Sequence, residues 1–85
     1  MFHLTLKGKW YDLIAQGKKK TEYRKDSCYY SKMIFAELRK AREENRNPQV
    51  CLHRGYTKTT MIYTVGNIIG NKKGIIEIPL MERLK

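Results

Sequence analysis

The sequence predicts an α+β fold: a small mixed β-barrel of about five to six strands carrying two helices. Three observations lead there. Period-two alternation marks the start of the chain and recurs in its second half, two stretches in the first half carry helical spacing, and the connections between segments are short. The resulting order is β-α-β-α-β-β-β. A doubly wound sheet needs more crossover helices than this order supplies, so a small barrel fits better. The 85 residues read as one domain, 1–85. A domain of this size buries only about 60–65% of the surface its unfolded chain exposes, so its core has little surplus.

Phe2, Leu4 and Leu6 alternate with His3, Thr5 and Lys7 as a half-buried strand does. Trp10, Leu13 and Ile14 then recur at helical spacing and Gly17 follows as a stop, which predicts a helix over 8–16 with Trp10 on its buried face. Residues 18–24 are polar, but Thr21 and Tyr23 favour an extended chain, ending at the Lys25-Asp26-Ser27 turn. A longer helix is predicted over 29–46. Tyr30, Ile34, Leu38 and Ala41 form its apolar stripe with Phe35 beside them, and Glu37, Arg39, Lys40, Arg42, Glu43 and Glu44 lie on the solvated face. Asn47-Pro48 ends it. Strands are expected over 49–54, 61–69 and 74–80, the last two joined by an Asn71-Lys72-Lys73-Gly74 hairpin turn.

Charge bounds the partners. Eighteen Lys and Arg against eight Asp and Glu leave a net +10, and such a particle draws polyanions from about one Debye length, ~8 Å at physiological salt. Nucleic acid or an acidic protein partner fits. A membrane does not, because no apolar run approaches the ~20 residues of a spanning helix. The opening segment is short and alternating rather than basic-then-apolar, so a cytoplasmic location is expected. Cys28 and Cys51 then read as reduced thiols. A zinc site built from them with His3 and His53 is excluded on spacing, since four separated segments would have to converge; no metal and no cofactor are expected.

The segment Gly17-Lys18-Lys19-Lys20-Thr21-Glu22-Tyr23-Arg24 carries the chemistry. Along a strand Lys20, Glu22 and Arg24 point one way, and Thr21 and Tyr23 the other. Cations beside a carboxylate at one strand mouth suit an anionic ligand, with Arg as a bidentate donor, Lys as a point charge and Glu22 as a partly exposed orienting partner. Three consecutive lysines are otherwise an ordinary solvated face.

The same segment fits G-x-K-x-x-E-x-R at Gly17, Lys19, Glu22 and Arg24, and so resembles the signature of ASCH domains, relatives of the PUA fold. An opening strand and a Trp-containing helix precede it, as in that family, while Tyr29-Tyr30 and Arg54-Gly55-Tyr56 resemble a phage-associated subgroup. Similarity is strong over 2–35 and loose over 49–80. The resemblance implies a PUA-like barrel with a cleft floored by the motif, and RNA or a nucleotide as ligand. Some members cleave RNA, and one branch hydrolyses the acetyl amide of N4-acetylcytidine through Lys, Thr and Glu. Here Glu22 stands where that branch has Thr, and the insertion bearing its catalytic Glu has no counterpart, so only Lys19 carries over and no deacetylation is expected.

The nucleic-acid-binding set expected is Lys18, Lys19, Lys20, Arg24, Tyr23, Arg54 and Tyr56, with Tyr23 and Tyr56 as stacking surfaces. If the protein is instead an enzyme, a small ribonuclease or nucleoside hydrolase, Lys19 and Glu22 are the catalytic candidates, with His53 as a possible general base. A third reading is a protein-binding inhibitor that presents a basic face.

Overall fold

Alternation becomes burial in the first strand: Phe2, Leu4 and Leu6 are buried and His3 and Thr5 exposed along β1 (Phe2–Leu6). The structure, a computed structural model, describes residues 1–71 and 73–85. After β1 come α1 (Gly8–Ala15), β2 (Thr21–Lys25), α2 (Cys28–Glu43), β3 (Gln49–Arg54), β4 (Thr60–Val65), β5 (Ile69–Gly70) and β6 (Ile75–Arg83). The fold is therefore α+β, with two helices and six strands among the described residues. The strands form one sheet in the order β1-β3-β4-β6-β2, with β5 attached to β6. It curls into a half-barrel, as expected of a small mixed barrel with two helices.

The β1–β3 pair is parallel and the other pairs are antiparallel. Val50, Leu52, Met61, Val65, Ile76, Ile78 and Leu80 meet the buried face of β1, and Ile14 and Tyr11 of α1 and Ile34 of α2 close over them. Burial raises the pKa of the Tyr11 hydroxyl. Cys28 and Cys51 are both free thiols. Among the described residues no helix is long and apolar enough to cross a membrane.

Both helices end in Schellman geometry. At α1, Gly17 takes φ +75° while Lys18 and Gly17 donate their N–H groups to the carbonyls of Leu13 and Ile14. At α2, Asn45 takes φ +55° while Arg46 and Asn45 donate to Ala41 and Arg42, so the helix stops before the expected position 46. The N-terminus of α2 is capped by the Ser27 hydroxyl, which accepts from Tyr30 N–H.

Five local expectations are corrected. Trp10 is 41% exposed, because α1 turns Tyr11 and Ile14 inward instead. Glu37 is buried rather than solvated: its carboxylate accepts from Arg46, from the Gln49 backbone N–H at 2.8 Å and from the Met1 amine, tying α2 to the starts of β1 and β3. Phe35 is largely exposed. The strand expected over 61–69 divides into β4 and β5, and the one expected over 74–80 runs on to Arg83. Lys72, within the hairpin turn expected at 71–74, lies outside the described residues. The Asn71 side chain accepts from the N–H groups of Lys73 and Ile75 there, and Gly74 takes φ +74°.

Candidate functional site

In the strand order, β1 and β2 stand at opposite ends, and the half-barrel is open between them. A cleft of about 450 Å³ occupies this region, lined by residues of β1, α1, β2 and α2. Its walls bring together Lys19, Glu22, Tyr23 and Arg24 of the motif with Lys7, Trp10, Lys25 and Tyr30. That volume falls within the ~300–1,000 Å³ of small-ligand sites.

Glu22 organises the floor. It is only 6% exposed, held inward because β2 pairs it with the fully buried Ile78 of β6. One carboxylate oxygen accepts from Arg24 Nε at 3.2 Å and Nη2 at 2.9 Å. The other accepts from the Tyr23 N–H at 3.1 Å and lies 3.4 Å from Lys19 Nζ. Glu22 is thus a buried double ion pair, not the partly exposed partner expected. Such pairing offsets a desolvation penalty of several kcal/mol per ion.

Arg24 is largely spent on structure. Besides Glu22 it donates to the Thr5 carbonyl at 2.8 Å, linking β2 to β1, and to the Tyr30 hydroxyl at 3.2 Å. Four hydrogen bonds use four of a guanidinium's five N–H donors, so the bidentate grip on a ligand expected of Arg24 is replaced by a strut between strands. Lys19 is different. Its ammonium lies 5.3 Å from the Trp10 ring centroid and 5.1 Å from that of Tyr23, touching Glu22 with donors to spare. The Schellman turn places it there: Lys19 N–H also bonds the Leu13 carbonyl, so the lysine leaves α1 on a fixed path.

The remaining expected residues divide. Tyr23 is 53% exposed and lines the cleft. Lys18 and Lys20 are exposed and do not line it; Lys20 leads into β2 instead of joining Glu22. Arg54 points to α1, where it forms a two-pronged pair with Asp12 at 3.1 and 3.0 Å, and the Asp12 carboxyl is held below its usual pKa chiefly by that hydrogen bonding. Tyr56 is fully exposed in the turn after β3, away from the cleft walls. Sequence reasoning assigned Trp10 and Tyr30 to the core and missed Lys7 and Lys25 as cleft residues. For Lys7 and Lys25 the available signal was position, since each ends or follows a strand that borders the opening.

His3 and His53 also differ from expectation. Parallel pairing sets His3 opposite Cys51 and Thr5 opposite His53, so all four share the face of the sheet turned away from Val50 and Leu52. His3 Nδ1 lies 2.9 Å from His53 Nε2, and donor atoms of His3, Cys51 and His53 all lie within 4.8 Å of one another. Three of the four residues judged too scattered in sequence to meet are therefore neighbours. Compared with known proteins, the chain matches no family model, no curated protein and no solved structure.

Proposed function

We propose that this protein is an RNA- or nucleotide-binding module of the ASCH, PUA-like type, working in the cytoplasm and binding its ligand in the cleft between β1 and β2. The observation that carries this reading is the convergence of Lys19, Glu22 and Arg24 in an open cleft walled by Trp10 and Tyr23. Lys19 meets the phosphate, Lys7 and Lys25 extend the positive rim, and the aromatic rings take the base. Stacking of this kind contributes ~1–3 kcal/mol per base. A catalytic role for Glu22 has less support, because both carboxylate oxygens already accept from neighbouring donors and neither is presented to a substrate proton.

Trp10 is the only tryptophan in the chain, so its fluorescence reports on the cleft directly. Titration with single-stranded RNA should quench it. With Lys7, Lys19, Lys25 and Lys9, whose ammonium lies 4.9 Å from the Trp10 ring centroid, engaged, the log–log salt slope should be near −3, at about −0.7 per phosphate. Quenching should also fall steeply in Lys19→Ala. Binding that leaves Trp10 unperturbed and insensitive to salt would sink the reading.

A further inference from the structure

We propose that His3, Cys51 and His53 form a binding site for a borderline-soft transition-metal ion, Zn²⁺ in the first instance, on the outer face of the β1–β3 pair. The donors come from two strands whose parallel register fixes them side by side. Alternation turns them away from the core side chains of the same strands, so the site adjoins the core without depending on it. Cys51 is buried and His53 half-buried, while His3 is exposed, which gives the cluster an open side facing solvent. The two imidazole rings are tilted 39° with centroids 5.1 Å apart, and their facing nitrogens share a hydrogen bond.

A tetrahedral zinc site has Zn–N near ~2.0–2.1 Å and Zn–S near ~2.3 Å, which spaces its donors by roughly 3.3–3.6 Å. The separations here span that range, from 2.9 Å between the ring nitrogens to no more than 4.8 Å overall. Side-chain rotations are enough to reach it. On binding, the proton on the facing ring nitrogen moves through solvent to the outer nitrogen of the same imidazole and the Cys51 thiol gives up its proton to solvent, leaving two neutral imidazoles, one thiolate and a water as ligands. One thiolate with two imidazoles selects Zn²⁺ over Mg²⁺ or Ca²⁺, which favour oxygen donors. The ion would join β1, an end strand of the sheet, to β3.

The test uses tag-free protein kept reduced with a phosphine. Zn²⁺ is titrated against a chromophoric chelator, and Co²⁺ is followed by absorbance. One equivalent should bind, unaffected by millimolar Mg²⁺, with a near-ultraviolet thiolate-to-cobalt band. Saturating Zn²⁺ should raise the melting temperature by roughly 11–22 °C at a hundredfold excess over its Kd. His3→Ala changes only an exposed side chain and should weaken binding about tenfold or more, by loss of one ligand in three. Cys51→Ser should abolish the cobalt band, and Cys28→Ser should change nothing. No saturable binding to folded protein, or undiminished binding by a His3→Ala/His53→Ala variant, overturns the proposal.

Discussion

At Glu22 a carboxylate is withdrawn from water among basic neighbours, and its oxygens are divided between Arg24 on one side and Lys19 with the Tyr23 amide on the other. Replacing it with glutamine keeps the shape but turns an acceptor into an NH₂ group facing donors. Glu22→Gln should therefore cost about 2 kcal/mol, below the ~3–5 kcal/mol for breaking a fully buried pair because both cations retain some exposure. In a domain of this size that is a fall of roughly 8–16 °C in melting temperature. Its affinity for single-stranded RNA should hold or rise, since a negative charge leaves the cleft. Lys19→Ala should act mainly on binding, with a smaller fall in melting temperature because Glu22 keeps Arg24 and the Tyr23 amide, and affinity down by roughly ten- to a hundredfold. Calorimetry and RNA titration on the two variants check this; equal losses of affinity would refute the division of labour. The motif was legible because Glu22 and Arg24 lie two apart on one strand face. Trp10 was not: in an eight-residue helix the apolar set fits two neighbouring faces, and only packing chooses Tyr11 over Trp10. The His3, Cys51 and His53 cluster depends on a parallel register between distant strands, which no local pattern encodes.

Among the elements, α2 shows most clearly where local pattern stops being informative. Its apolar stripe foretold Ile34 and Ala41 as buried, but Glu37 sits on that inward side, where its partners come from the loop after the helix and from the start of β3. Burial acts to raise its pKa, yet hydrogen bonds from Arg46, the Met1 amine and Gln49 outweigh it and hold the group at about 2. An unfolded glutamate titrates near ~4.3, so the folded state binds protons less readily and the stability this anchor supplies is complete above about pH 4.5. It declines as pH falls from there to about 2, by on the order of 2–3 kcal/mol. Thermal melts from pH 6 to pH 2 should show the wild type losing stability more steeply than Glu37→Gln, which begins lower; parallel curves would refute the role. The ends of both helices were legible through Gly17 and the Asn47-Pro48 pair to within a few residues. The strand division at 66–68 was not, because it follows from pairing with β6 rather than from any breaker as strong as proline.

For the whole molecule, alternation, helical spacing and short connections sufficed to predict the class, and the half-barrel follows them. What they left open was which strands meet and where closure fails. Closure fails between β1 and β2, where the Arg24 guanidinium bonded to the Thr5 carbonyl spans the gap. Strand edges not paired within a sheet present N–H and C=O groups to water. Amides of β1 and β2 that face the gap should therefore exchange with deuterium sooner than those of β3 or β4, which have a strand on either side. Saturating RNA should slow exchange in β1 and β2 selectively, as followed by mass spectrometry; protection confined to α2 would move the ligand elsewhere. The half-barrel is then a clasp, and one of its hooks is a side chain. Releasing Arg24 from the Thr5 carbonyl undoes that hook without unzipping any strand pair. A ligand seated there becomes a further fastening, so occupancy should appear as lost breathing of β1 and β2 beyond the shielding of its own footprint.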